Sequence, residues 1–168
     1  MYEFAGLNDA ILIIVKGKAT QNNSLYFREF AEEMMSQGVK NFIIDLKECT
    51  GMDSTFMGTL TMLALSADST NSQDHSASCQ ILNTTEYHKN LLATLGLLNI
   101  LPIIEEPVAL PSVETSQLPE YDANPKKRLQ LILDAHKKLI EVSEQNKLIF
   151  EEFVQEMSKE MAEYHSES

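Results

Sequence analysis

The chain has 168 residues, of which 43% are hydrophobic, enough for one folded domain with its own core. Its formal net charge is -12, so it lacks the Lys/Arg surface that nucleic acid or an anionic membrane would need, and neither is expected as a partner. Cys49 and Cys79 form no disulfide framework or zinc spacing. The opening Met1-Tyr2-Glu3-Phe4 carries no basic signal segment, so a cytoplasmic protein without membrane insertion is expected.

Ala10-Ile11-Leu12-Ile13-Ile14-Val15 is rich in β-branched residues and stops at Lys16-Gly17. It reads as a buried strand, with Tyr2–Phe4 as a short partner. Asn23 or Ser24 can cap a helix that carries Leu25, Phe27, Phe30, Ala31, Met34 and Met35 to a stop at Gly38. Asn41 to Leu46 is a second buried strand. A short turn over Cys49 to Thr55 leads into a helix bearing Phe56, Met57, Leu60, Leu63, Ala64 and Ala67, with Asp53 or Ser54 as its N-cap.

Asp68 to Ser78 is rich in Ser, Asn and Asp and reads as a loop. Cys79–Leu82 is a strand candidate, and Thr84 or Thr85 opens a helix through Tyr87, Leu91, Leu92 and Leu95, which Gly96 closes. Pro102–Ile104 is a last short strand. The alternation argues for an α/β sheet covered by helices.

The stretch from Glu105 to Pro125 holds Pro107, Pro111 and Pro119 and reads as a linker that crosses or leaves the surface. Lys126 to Tyr164 has no Gly or Pro. Its apolar residues recur at helical steps in two rows, Leu129, Leu133, Ile140, Phe150, Val154, Met157, Met161, Tyr164 and Ile132, Leu139, Ile149, Phe153. One long amphipathic helix is expected, or two broken near Ser143–Asn146. The division is then a domain over 1–106, a linker over 107–125 and a helical extension over 126–168. The apolar stripe must be covered, either by folding back on the domain or by the same helix of a second copy. Basic Lys126-Lys127-Arg128 and the late acidic residues give opposite-signed ends, which favours antiparallel pairing in a homodimer.

The chemistry concentrates where the second strand ends and Asp53-Ser54-Thr55 opens a helix. That placement exposes the Ser54 hydroxyl at a helix N-terminus, where free N–H groups and the positive dipole end tolerate a phosphate. Such a group adds about -1.5 to -2 charges, so it disturbs a docked partner far more than the fold beneath it. The same three residues also make a common capping sequence.

Residues 2–105 resemble the STAS domain of bacterial anti-sigma factor antagonists. The likeness rests on element order, the strand end Ile44-Asp45-Leu46, the signature Met52-Asp53-Ser54-Thr55-x-x-Gly58, and the helix end Leu92-x-x-Leu95-Gly96-Leu97. It implies a STAS-like mixed β-sheet with helices packed on one side, here with a C-terminal amphipathic extension. It implies no enzyme and no cofactor, but a binding module acting in transcription regulation by partner switching. The unphosphorylated form would bind an anti-sigma factor that is also a serine kinase. That kinase would phosphorylate Ser54 with ATP and Mg²⁺, and a serine phosphatase would reset it. Asp53, Thr55, Asp45, Phe56, Met57, Gly58 and Thr20 would form the surroundings of the phosphate and the docking surface. The alternative is a STAS scaffold or sensor that never cycles through phosphate. The chain departs from the antagonist pattern in having Phe56-Met57 for Gly-Leu and Gly17-Lys18-Ala19-Thr20 for Gly-Glu-Leu-Asp.

The remaining candidates are expected to be structural. Asp45 is expected to seal its turn, and Thr55 to pack inward or cap. Cys49 and Cys79 read as small packing residues. His75, His88, His136 and His165 show no ligand spacing, so no metal site is expected. A hydrolase role for Ser54 lacks a Gly-x-Ser-x-Gly elbow.

Overall fold

The computed structural model describes residues 1–69, 78–120 and 124–166. Strand β1 (Tyr2–Gly6) turns back as β2 (Ala10–Val15), an antiparallel pair with Tyr2 opposite Val15. Gly17, at φ 69°, bends the chain into the short β3 (Gly17–Ala19). Helix α1 (Ser24–Ser36) stops before Gly38, whose φ of 92° ends it. β4 (Asn41–Asp45) lies parallel to β2, and β5 (Cys49–Met52) lies parallel to β3. Helix α2 (Ser54–Ser69), strand β6 (Ser78–Leu82) and helix α3 (Glu86–Thr94) follow.

The main sheet has the order β6-β4-β2-β1, with β7 (Ser116–Gln117) beyond β1. Ile13, Ile44 and Ile81 stand level across β2, β4 and β6, and all three are fully buried in the main core. Burying an aliphatic chain of that size contributes about 1.5–3 kcal/mol before entropy is counted. α2 is buried along most of its length and carries no charged residue from Ser54 to Ala67. A helix apolar all round must be covered on every side.

Several expectations change. The β3–β5 pair replaces the plain turn expected around Cys49, because the segments before α1 and α2 run alongside each other and exchange backbone hydrogen bonds. α2 continues through Ser69 and β6 begins at Ser78. The rest of the expected Asp68–Ser78 loop, His75 included, lies outside the described residues. Ile103 makes only a single parallel bridge with Ile81 rather than a full strand.

The Pro-rich segment joins the fold. Asn83 at one side of the sheet donates to the Val108 carbonyl and accepts from the Val108 N–H. At the other side Thr115 bonds to Glu3, β7 pairs with β1, and the buried Leu118 donates its N–H to the Tyr2 carbonyl. The segment therefore crosses the sheet and adds an edge strand to it.

The extension is two helices, α4 (Pro125–Val142) and α5 (Glu144–Ser166). Asn124 caps α4 through Lys127 N–H, with Pro125 at the first helical position. Ser143 breaks the run in an extended conformation and receives the Asn146 N–H. Most of the apolar stripe is covered within one chain, Ile149 staying exposed: α4 lies on α2, and α5 returns antiparallel, setting Met161 beside Leu129 and Leu133. Of the two expected covers, folding back within the chain is the one seen, with α5 as the antiparallel partner of α4. No helix among the described residues is long and apolar enough to cross a membrane.

Candidate functional site

The site forms where α2 begins. Asp53 Oδ1 accepts the Phe56 N–H at 2.9 Å, which makes Asp53 the N-cap of α2. Its Oδ2 accepts the Gln21 N–H at 2.8 Å, and its own N–H reaches the Ala19 carbonyl. One carboxylate thus joins the β3–α1 loop to the start of α2. Asn23 does not cap α1, since its Oδ1 takes the Thr20 N–H and the Tyr2 hydroxyl instead. The Thr20 carbonyl accepts from the N–H groups of Asn23 and Ser24 and from the Ser24 hydroxyl, so Thr20 holds this loop in shape. Tyr2 lies beneath, stacked on Phe27 and Phe56, and burial pushes its phenol pKa upward.

Ser54, the first residue of α2, faces α4. Its Oγ lies 2.9 Å from His136 Nε2, and His136 Nδ1 lies 2.8 Å from the Ile132 carbonyl oxygen. A carbonyl only accepts, so Nδ1 carries the proton and Nε2 accepts from the Ser54 hydroxyl. The imidazole is 4% exposed, and Phe150 and Phe153 stand edge-on to it with centroids at 4.9 and 4.8 Å. Burial holds the His136 pKa below its ordinary value, against the opposing pull of the Ile132 carbonyl and of Asp53. Burial favours the neutral ring, and in that form the Ile132 carbonyl fixes the proton on Nδ1 and leaves Nε2 to accept from Ser54. Ser54 and His136 have the donor–acceptor order of a hydrolase pair. However, Nδ1 is held by a backbone carbonyl rather than a carboxylate, and the two phenyl rings take the space beside the ring.

The other expected site residues divide. Thr55 is buried and its carbonyl accepts the Thr59 hydroxyl, so it packs inward. Asp45 is buried and accepts from the Lys47 N–H at 3.1 Å and from Asn83 Nδ2 at 2.7 Å, which seals the turn after β4. Phe56 and Met57 belong to the main core and Gly58 lies beneath α4, so none of the three offers a docking surface in this conformation. A Cβ at Gly58 would stand 2.5 Å from the Ala135 carbonyl oxygen. Only glycine lets the two helices approach this closely.

His136 is the residue that sequence spacing misses, because 82 positions separate it from Ser54. Its trace in the sequence is a polar residue set between Ile132, Leu133, Leu139 and Ile140 in the apolar row. His88 has a different task. Its Nδ1 accepts the Thr85 N–H in a capping box, and its Nε2–H donates to the Cys49 carbonyl at 2.9 Å, which ties α3 to β5. Among the described residues no group of three or more His, Cys, Asp or Glu side chains is placed to hold a metal ion. A shallow hollow of about 590 Å³ lies at the opposite strand ends, lined by Leu7 to Ile11 and Gln37 to Asn41.

No protein-family model and no curated protein matches the sequence. Solved structures do match the fold. The unphosphorylated anti-sigma factor antagonist SpoIIAA superposes with a TM-score of 0.51 at 13% identity, over 63% of this chain and 89% of its own. The phosphorylated form of SpoIIAA, a Bacillus cell fate determinant, gives 0.50 at 14% identity, over 63% and 93%. The NMR structure of the protein TM1081 gives 0.53 at 16% identity, over 60% and 78%. Identities this low speak for the fold alone. The chain has the STAS-like fold of an anti-sigma factor antagonist, with a C-terminal helical hairpin added to it.

Proposed function

We propose that the chain is an antagonist-like protein-binding module with Ser54 as its switch residue and the N-terminal end of α2 as its partner face. The observation that carries this reading is the position of Ser54 within a STAS-like fold. It is the first residue of a 16-residue helix, directly after the Asp53 cap, and its hydroxyl is half-buried against His136 of α4. A phosphate there would meet the positive end of α2, beside the Asp53 carboxylate that already takes the Phe56 N–H. The partner would be an anti-sigma factor with serine kinase activity, reset by a serine phosphatase. Nucleotide, metal and catalytic groups would belong to those partners, and this chain would supply a hydroxyl and a surface.

The test is incubation with candidate anti-sigma kinases and ATP, followed by mass spectrometry. A phosphate on Ser54 that is lost in Ser54→Ala is the expected result. Failure of every candidate to bind or modify the chain would sink the reading. One observation favours a second reading, a scaffold that does not cycle: α4 already lies over Ser54 and Gly58.

A further inference from the structure

We infer that the α4–α5 hairpin is a cis-acting cover of the Ser54 face, and that a docked α4 and a phosphate on Ser54 exclude each other. The inference rests on the reading of Ser54 as the switch residue, and it adds the regulation of that site.

Besides Leu139 in the main core, four contacts of three kinds seat α4. The Ala135 backbone lies against Gly58. Asp134 pairs with Arg28 of α1 at 2.8 Å, and Lys127 pairs with Glu29 of α1 at 2.9 Å. His136 takes the Ser54 hydroxyl at 2.9 Å. The first three contacts leave the switch residue alone, whereas the fourth uses the atom that would be modified.

Transfer of a phosphoryl group from a nucleoside triphosphate would join Ser54 Oγ to phosphorus. It would release the diphosphate and send the hydroxyl proton to a base on the kinase. In the docked state that proton is engaged by His136 Nε2, so the hydroxyl must leave the imidazole before a base on the kinase can take it. After transfer, three anionic oxygens would occupy the place of a 2.9 Å contact. They would face the lone pair of a neutral imidazole, with the Asp53 carboxylate adjacent and the Phe150 and Phe153 rings around the imidazole. A dianion placed there loses part of its water, and His136 can pair with it only by taking up a proton against the bias of its burial. Covering therefore engages the Ser54 hydroxyl and sets α4 against it, and modification keeps the cover open.

The experiment is amide hydrogen exchange on the full chain carrying Ser54→Glu, with Ser54→Gln as the control of equal size. Ser54→Glu should speed exchange over residues 129–142 on the order of tenfold or more, while β2 and β4 keep their protection and Ser54→Gln moves the same amides far less. Unchanged exchange over 129–142 overturns the inference, because the charge is then tolerated beneath α4. Equal acceleration by Ser54→Gln overturns it, because size alone then accounts for the effect. Joint loss of protection in β2, β4 and α4 also overturns it, because α4 is then part of the core and not a cover. None of these readouts involves a partner. Hairpin release without any kinase binding would leave the cover standing and count against the switch reading alone.

Discussion

The two ends of the α4–α5 hairpin are buried in different ways. At the elbow, Leu139 is fully buried in the main core, and Val142 and Phe150 pack against it. There the Asn146 side chain donates to the carbonyls of Leu95 and Leu139. At the open end, Leu129, Leu133 and Met161 form a separate cluster with Val154, Met157 and Tyr164. That cluster joins α4 to α5 and adds nothing to the sheet's core. Ser54 and His136 lie between the two. The hairpin is therefore anchored in the main core at the elbow and tied to the body at the open end by the Arg28–Asp134 and Lys127–Glu29 pairs. Opening is easier from the open end and meets the Ser54–His136 bond before it reaches the elbow.

Truncation at the two ends gives the largest contrast. Leu139→Ala removes a fully buried side chain from the main core and should cost about 3–4 kcal/mol in global stability by urea denaturation. Leu133→Ala should cost about 2 kcal/mol, and its effect in hydrogen exchange should stay within α4 and α5. If the two variants destabilise the body equally, the hairpin is one cooperative unit and the division fails. On the exposed side of the elbow, Leu148 is 85% exposed, and Leu148→Ala should change stability by less than about 0.5 kcal/mol.

Gly58→Ala examines the middle. In an isolated helix, alanine would stabilise by about 1 kcal/mol over glycine. Here its Cβ meets the Ala135 carbonyl oxygen at 2.5 Å and the carbonyl carbon at 2.8 Å, and backbone cannot move aside as a flexible side chain can. The sign should reverse, with a net loss of about 1–3 kcal/mol. Gly6→Ala is the control, since no atom lies within 4 Å of its added Cβ. A neutral or stabilising Gly58→Ala would show that α4 is not seated on α2 in solution.

The same comparison explains what the sequence discloses. β2 and β4 are legible because Ile and Val runs bounded by Gly or Asn are a local signal. The Asp53 cap and the Ser54 position are legible for the same reason. β3, β5 and β7 are not, because Gly17-Lys18-Ala19, Cys49-Thr50-Gly51-Met52 and Ser116-Gln117 have little strand character of their own and become strands by pairing. The amphipathic stripe of α4 announces that it will be covered without naming the cover. A hint of the answer lay in α2, whose charge-free stretch from Ser54 to Ala67 needs partners on more sides than one sheet provides. The Ser54–His136 contact had no local trace, because its two halves come from helices that meet only after folding.

The smallest predicted effect is the most specific to that contact. His136 has a pKa below its ordinary value of 6.5 in the folded chain, chiefly through burial. The unfolded chain therefore takes up this proton at a higher pH than the folded chain does. The stabilisation tied to a neutral His136 is complete above about pH 6.5 and is lost as pH falls through that value toward the depressed folded pKa. Protection of α4 amides should accordingly weaken as pH falls from about 7.5 to 5.5. His136→Gln removes this titration and leaves the other histidines and the carboxylates in place, so the difference between the two pH profiles isolates one imidazole. Asp53 is the charged neighbour that acts on it, and its carboxylate eases protonation, which makes the difference shallow. Parallel profiles for the two proteins would mean that burial does not hold His136 neutral beside Ser54, and α4 would then lack this pH dependence.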